Sequence, residues 1–126
     1  MKSAVVVVDD SELIRNVMTK ALEDTYDVIT ASDGREAIDA LTQKSNIVCM
    51  LLDLSMPVYD GFMVLDYFKK YGYFSTIPVF IISGDDSKET INKAFTYDIV
   101  DMLNKPFSTD NIKEAVRRAI NLKSTK

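Results

Sequence analysis

The chain has 126 residues, of which 47% are hydrophobic and 27% charged, a composition typical of one globular domain and not of a disordered or fibrous protein. Its net charge of −4 argues against nucleic-acid binding, which usually needs a basic face, and no apolar run approaches the roughly 18 residues of a membrane span. The absence of histidine and the presence of a single cysteine, Cys49, exclude histidine catalysis, histidine-ligated metals and an internal disulfide, and they suit a reducing cytoplasm.

Five short apolar runs predict five β-strands. In chain order they are Ala4–Val8, Tyr26–Ala31, Ile47–Leu52, Ile77–Ile82 and Ile99–Leu103. Four of them are almost continuously apolar, as expected of strands that are buried on both faces of a sheet. The second run contains Asp27 and Thr30 and is the most polar, which predicts a strand at the edge of the sheet. Cys49 lies within the third run, and we expect it in the core.

A stretch with helical periodicity follows each strand. The apolar positions are Ile14, Val17, Met18, Ala21 and Leu22 in the first stretch; Ala37, Ile38 and Leu41 in the second; Phe62 and Leu65 in the third; Ile91, Ala94 and Phe95 in the fourth; and Ile112, Ala115, Val116, Ala119 and Ile120 in the fifth. Predicted helix boundaries are Asp33 with Glu36, Asp60-Gly61, Tyr71-Gly72, Asp86 with Glu89, and Ser108 or Thr109.

This alternation of strands and helices predicts one α/β domain over residues 1–122. Strand–helix repeats form mostly parallel sheets covered by helices on both faces. Residues 123–126 are polar and are interpreted as a tail or the start of a linker.

Polar side chains stand where four of the predicted strands end. Asp9 and Asp10 follow the first strand, Asp53 the third, Ser83 the fourth and Lys105 the fifth. In an open parallel sheet, ligands bind beyond the carboxyl ends of the strands. Carboxylates held close together repel one another unless a proton or a cation compensates, and oxygen ligands of this kind suit Mg²⁺.

Each of these residues also has an ordinary structural explanation. A single Asp at a strand end is more often a helix cap, Ser83-Gly84 is a common turn sequence, and an isolated Lys105 would be solvated. Three acids at neighbouring strand ends are harder to explain in this way. Lys105 is followed by Pro106, which restricts the preceding residue to extended geometry and so aims its side chain.

Four motifs in this order resemble the receiver domain of two-component response regulators, and the resemblance extends from Val5 to Ile120. The motifs are Val-Val-Asp9-Asp10-Ser, Leu-Leu-Asp53-Leu-Ser-Met-Pro-Val-Tyr-Asp-Gly61, Ile-Ile-Ser83-Gly84 and Asn-Lys105-Pro106-Phe107. The resemblance implies a flavodoxin-like doubly wound fold with a five-stranded parallel sheet of order 2-1-3-4-5. It also implies a cis peptide bond between Lys105 and Pro106.

The same resemblance implies a role for each site residue. Asp53 would accept a phosphoryl group from a phosphohistidine of a sensor kinase or a phosphotransfer protein. Mg²⁺ would be held by Asp10, by Asp9 directly or through water, by Asp53 and by the backbone carbonyl of Ser55. Ser83 would donate its hydroxyl to the phosphoryl group, and Lys105 would pair with it. Such a domain catalyses only its own phosphorylation and hydrolysis, which makes it a signalling module.

Two positions depart from the family pattern. Met102 stands where receivers usually carry Tyr or Phe, and Val100 stands where Ala is common. We therefore expect phosphorylation chemistry to be retained and the usual aromatic switch to be absent. The implied output face is the fourth helix, fifth strand and fifth helix, where we expect Phe95, Tyr97 and Met102 to be partly exposed.

Other functions remain open at this stage. One is an interaction domain that switches without phosphorylation. Another is an Asp53-dependent phosphohydrolase, which is disfavoured because Ser55 stands where the common aspartate phosphatases carry a second acid. Flavin binding is disfavoured because the first loop is acidic. We expect no contact with nucleic acid or membrane, while the output partner, the cognate kinase and a homodimer are left undetermined.

Overall fold

A computed structural model describes residues 2–44, 46–54, 60–85 and 87–124 of the chain. The strands are β1 (Ala4–Val8), β2 (Asp27–Ala31), β3 (Ile47–Asp53), β4 (Val79–Ser83) and β5 (Asp101–Asn104). The helices are α1 (Glu12–Leu22), α2 (Gly34–Gln43), α3 (Gly61–Tyr71), α4 (Lys88–Ala94) and α5 (Thr109–Ser124), with a short 3₁₀ helix at Tyr73–Ser75. Within these ranges, no helix combines the length and apolar character that crossing a bilayer requires.

The strands form one parallel sheet of order β2-β1-β3-β4-β5, so the predicted fold class and strand order are confirmed. The polar strand β2 lies at an edge, as its sequence predicts. The ends of the three central strands are nearly level, because Val8 pairs with Leu52 and Asp53 pairs with Ile82. The residues that follow these strands therefore emerge at the same side of the sheet.

The sheet divides the core into two layers. Val5 and Val7 face the layer built with α1 and α5, whereas Val6 and Val8 face the layer built with α2, α3 and α4. Both sets of side chains are fully buried, because successive residues of a strand point to opposite faces and both faces are covered here. Cys49 is buried in the layer with α1 and α5, which confirms its predicted core position.

Polar caps set most helix boundaries. The side chains of Ser11, Asp33 and Asp60 accept the N–H groups of Ile14, Glu36 and Met63 at the starts of α1, α2 and α3. Helix α3 ends at Gly72, whose φ of 74° lies in the left-handed region that favours glycine. At α2, the carboxylate of Glu36 accepts the N–H and hydroxyl of Ser32, so it binds one residue before the cap.

Several predicted boundaries differ from the structure by one or two residues. Strand β4 begins at Val79, after Pro78, which has no N–H to donate to a ladder. Strand β5 begins at Asp101, although the N–H of Val100 already donates to the Val79 carbonyl at 2.8 Å. The cap of α4 is Ser87, which accepts the N–H of Thr90, whereas the predicted cap Asp86 lies outside the described residues. Helix α5 continues to Ser124, and the domain boundary near residue 122 stays a prediction.

An aromatic and ionic contact ties α4 to α3. The Tyr97 hydroxyl donates to Asp66 Oδ1 at 2.5 Å, and the Lys93 ammonium lies 4.1 Å from the ring centroid of Phe62. The hydrogen bond to Asp66, together with burial and the Asp66 charge, raises the pKa of Tyr97 to about 12. This contact therefore holds the chain after α4 against the helix that follows the β3 end.

Replacing Asp66 with alanine is expected to lower the pKa of Tyr97 toward its ordinary value of 10, because the acceptor and its negative charge are both removed. In the wild-type protein the contact stabilises the fold fully below pH 10, and this contribution is lost as the pH rises through about 12. Ultraviolet absorbance of the tyrosinates measures the titration, with Tyr97→Phe identifying the signal. An unchanged titration in Asp66→Ala would contradict the assignment.

Candidate functional site

Three carboxylates meet at the carboxyl edge of the sheet. Asp9 directly follows β1, Asp53 is the last residue of β3, and Asp10 lies beside Asp9 in the loop that leads to α1. Each offers an oxygen atom, and the three atoms lie within 4.8 Å of one another. Asp9 and Asp53 are 0% and 1% exposed, whereas Asp10 is exposed to solvent. The expected grouping of these acids is therefore present, with one open side.

Three hydrogen bonds hold Asp9 in place. Its N–H donates to the Ala31 carbonyl at 3.1 Å, and its Oδ1 accepts the N–H of Ser11 at 2.9 Å. Its carbonyl accepts a 2.7 Å hydrogen bond from Nη1 of Arg15. Arg15 was not singled out in the sequence, and its position one turn into α1, four residues after the Ser11 cap, is the only signal that could have found it.

Lys105 brings a positive charge to these acids. Its Nζ lies 2.9 Å from Asp9 Oδ2 and 3.6 Å from Asp53 Oδ2, with a quarter of the side chain exposed. Partial burial lowers the pKa of Lys105, but attraction to Asp9 and Asp53 outweighs it, and the pKa is raised above its usual value. The Lys105 N–H donates to the Ser83 carbonyl at 2.9 Å, so the end of β4 positions the lysine backbone. The predicted cis Lys105–Pro106 bond is confirmed.

The second oxygen of Asp9 has an unusual environment. Asp9 Oδ2 is buried, and among the described residues it has no backbone N–H or hydroxyl donor. The Lys105 ammonium, 2.9 Å away, is the partner that the structure gives this oxygen. Three carboxylates that each offer an oxygen atom at one place suit a site for a cation, because they are hard oxygen ligands of the kind that Mg²⁺ prefers.

Ser83 is the last residue of β4 and is fully buried. Its hydroxyl accepts the N–H of Asp85 at 3.0 Å and donates to the Asp85 carbonyl at 3.2 Å. The Ser83 hydroxyl therefore lies at the end of β4, where it is hydrogen-bonded to the following loop. Ser55, predicted to contribute a backbone carbonyl, lies outside the described residues.

The start of α3 packs directly against the backbone of Asp53. The Gly61 N–H donates to the Leu54 carbonyl at 3.2 Å. A Cβ atom at position 61 would lie 2.5 Å from the Asp53 carbonyl oxygen and 2.7 Å from the Leu54 Cα, so only glycine fits. The sequence marked Gly61 as a helix start, but its role in supporting the Asp53 backbone is visible only in the packing.

The predicted output face is partly exposed, as expected. Phe95 is 49% exposed, and Tyr97 and Met102 are half-buried. An ion pair joins Arg118 Nη1 to Asp101 Oδ2 at 2.8 Å across α5 and β5 on the same side of the molecule.

Comparison with known proteins identifies the family. A sequence model described as the response regulator receiver domain matches residues 5–117. The chain belongs to the response regulator receiver domain family. It is a signalling module of two-component systems and not a metabolic enzyme. Receiver domains of this family act with histidine kinases and output domains, and they bind Mg²⁺ in an acidic pocket.

Individual relatives agree with this assignment. The two-component response regulator ORR3 of Oryza sativa subsp. indica is 29% identical over 117 residues, which cover 92% of this receiver domain and 89% of ORR3. Response regulator RR06 of Streptococcus pneumoniae is 36% identical over 119 residues, and this chain spans about half of it (53%), with 90% of the chain covered.

Solved structures show the same architecture. The receiver domain of the Francisella response regulator 1452 is 30% identical, with a TM-score of 0.84 and coverage of 98% of this chain and 99% of that one. The chemotaxis protein CheY4 of Vibrio cholerae is 29% identical, with a TM-score of 0.83 and coverage of 94% and 99%.

Proposed function

We propose that this receiver domain accepts a phosphoryl group on Asp53 in a Mg²⁺-dependent reaction and thereby switches its binding to a partner. The observation that carries the proposal is the cluster of Asp9, Asp10 and Asp53, with the Lys105 ammonium placed against two of the three acids. The phosphoryl donor is a phosphohistidine of a sensor kinase or a phosphotransfer protein, and it must lie on another molecule because this chain has no histidine.

The acids divide into a nucleophile and metal ligands. Asp53 is the nucleophile and also a ligand, Asp10 is the exposed ligand, and Asp9 binds directly or through water, together with the Ser55 carbonyl. When bound, Mg²⁺ supplies positive charge that neutralises the transferred phosphoryl oxygens. Asp9 fits a ligand role because its side chain is buried beside the other acids and hydrogen bonds fix both its backbone and its Oδ1.

The phosphoryl group moves from a donor nitrogen to an oxygen of Asp53. A carboxylate oxygen of Asp53 attacks the phosphorus, so a P–O bond forms while the P–N bond to the donor imidazole breaks. The electron pair of that bond leaves with the imidazole, which takes a proton. Asp53 need not be a strong nucleophile, because positioning and charge neutralisation supply most of the catalysis in phosphoryl transfer.

Lys105 and Ser83 are suited to hold the product. The lysine already faces Asp53 from 3.6 Å and would pair with a phosphoryl oxygen on that side chain. The Ser83 hydroxyl would donate to a second oxygen after leaving the Asp85 carbonyl. A new dianionic group would therefore draw the loop after β4 toward the site and alter the surface beyond it.

Chemical phosphorylation tests the proposal. With acetyl phosphate or phosphoramidate, mass spectrometry of the intact protein is expected to show one added phosphoryl group, only when Mg²⁺ is present. Asp53→Asn should abolish the labelling. Asp33→Asn is the matched control, because it makes the same charge change at a helix cap where asparagine caps equally well, and it should label normally.

Other outcomes identify the competing functions. If the wild-type protein is never labelled in the presence of Mg²⁺, the result would favour a domain that switches by binding alone. This alternative stays open because Met102, which is half-buried, stands where the family usually has an aromatic switch residue. Sustained turnover of a generic phosphate ester would instead favour a phosphohydrolase.

A further inference from the structure

The Ser83 hydroxyl is joined to helix α4 by a continuous chain of hydrogen bonds. Its first part is backbone: the hydroxyl exchanges two hydrogen bonds with the N–H and carbonyl of Asp85. The hydroxyl therefore cannot turn toward Asp53 without releasing the Asp85 backbone.

The second part is the Asp85 side chain. Its Oδ2 accepts the Thr90 hydroxyl at 2.7 Å, and its Oδ1 accepts the Ser87 N–H at 2.9 Å. The Ser87 hydroxyl in turn donates to Thr90 Oγ1 at 3.1 Å and accepts the Thr90 N–H. These bonds lower the pKa of Asp85, chiefly the one from Thr90, and because they are made to a carboxylate they are charge-assisted. We call Asp85, Ser87 and Thr90 the α4 clamp.

Helix α4 has little else to hold its first turn. Among its residues, Lys88–Ala94, only Ala94 at the last position is buried. The contacts to α3 described above, through Lys93 and Tyr97, also lie at the end of the helix or beyond it. The α4 clamp is thus the principal described attachment of the first turn to the sheet.

We propose that Asp85 and Thr90 are positioning residues that hold the Ser83 hydroxyl in its unphosphorylated orientation and couple its movement to the first turn of α4. This inference rests on the proposed function of Asp53 and Ser83. It supplies a route for the signal that does not use an aromatic residue at position 102. When the hydroxyl turns toward a phosphoryl group, Asp85 moves, and the carboxylate carries Ser87 and Thr90 with it.

The coupling can be tested first without any ligand. Thr90→Val removes the hydroxyl but keeps the branched shape, and it should speed amide hydrogen exchange at Asp85 roughly three- to ten-fold, the factor expected for losing one net hydrogen bond. Thr90→Ser keeps a hydroxyl and should exchange like the wild type. Because coupling is reciprocal, Ser83→Ala should alter the amide signals of Thr90 and Ile91 in nuclear magnetic resonance spectra. If Asp85 exchange in Thr90→Val and the α4 signals in Ser83→Ala are both unchanged, the proposal is wrong.

The second arm uses Mg²⁺ with beryllofluoride as a phosphoryl mimic. In the wild type and in Thr90→Ser, the amide chemical shifts of residue 90 and of Ile91 should change when the mimic binds. In Thr90→Val, the mimic should bind several-fold more tightly, since the hydroxyl is less restrained, and Ile91 should shift less. Unchanged affinity together with an undiminished Ile91 shift would overturn the coupling. A wild type that binds no mimic would count against the proposed function, while the exchange data would still decide the clamp.

Discussion

Lys105→Met is expected to destabilise the metal-free protein by about 3 kcal/mol at neutral pH. The substitution leaves Asp9 and Asp53 close together without the ammonium that lies 2.9 Å and 3.6 Å from them. Removing one partner of a buried ion pair costs about 3–5 kcal/mol, and the lower end applies because a quarter of the Lys105 side chain is exposed. Denaturant unfolding followed by circular dichroism measures the change.

The matched control is Lys113→Met, which makes the same replacement at an exposed position of α5 and should change stability by no more than about 0.5 kcal/mol. Mg²⁺ should stabilise Lys105→Met more than the wild type, because the acids no longer face the ammonium and binding to the native state alone adds stability. Metal-free Lys105→Met with wild-type stability would show that the ammonium does not balance these acids.

The pH dependence of this contribution follows from the raised pKa of Lys105. A cation whose pKa is higher in the folded state stabilises the fold fully below its ordinary pKa, about 10.4, and the contribution is lost as the pH rises through the folded value. The difference between wild type and Lys105→Met should therefore persist at neutral pH and shrink in strong alkali, where Lys105 loses its charge.

Gly61→Ala is expected to cost about 3 kcal/mol of stability, the upper end of the range for overpacking a core. The added Cβ would lie 2.5 Å from the Asp53 carbonyl oxygen and 2.7 Å from the Leu54 Cα, and these are backbone atoms that cannot rotate away. Either α3 or the end of β3 must shift. Since β3 is paired on both sides, a shift there also moves Asp53 relative to Asp9. Denaturant unfolding measures the loss of stability.

The phosphorylation rate of Gly61→Ala should fall by more than the loss of folded protein explains. A displacement near 1 Å at a reacting group can cost on the order of 100-fold in rate, so labelling of the folded Gly61→Ala protein by acetyl phosphate is expected to slow markedly. Gly84→Ala is the control for stability, because a Cβ there meets only the Lys105 Cδ, at an ordinary 3.9 Å. Equal stability of the two alanine variants would contradict the close approach at Gly61.

Some residues of the site can be predicted from the sequence and others cannot. Asp9, Asp53, Ser83 and Lys105 were predicted together because each follows a buried strand, and parallel strands end at one edge. Arg15 and the α4 clamp were not predicted, because a single arginine in an amphipathic helix and a run of Ser, Thr and Asp in a loop are common surface patterns. Their hydrogen bonds to Asp9 and Asp85 depend on how helices α1 and α4 dock.

The exact ends of strands and helices also depend on tertiary packing and cannot be predicted from local sequence. The apolar run at Ile77–Ile82 predicts the existence of β4, but the ladder starts at Val79, which pairs with Met50 and follows Pro78, a residue without an N–H. The fourth helix was predicted to begin at Asp86, and in the structure Ser87 caps it. Neighbouring polar residues can each cap a helix, and local chemistry does not choose between them.

The amino-acid sequence alone determined the alternation of strands and helices, the edge position of β2 and the set of polar residues at the strand ends, because periodicity and β-propensity act over a few neighbouring residues. Only the tertiary structure decided which of those polar atoms meet. Three features depend on residues from separate elements: the 2.9 Å contact of Lys105 with Asp9, the close approach of Gly61 to the Asp53 backbone, and the link from Ser83 to α4. Such distances are set by the register and packing of the whole sheet, and no local pattern encodes them.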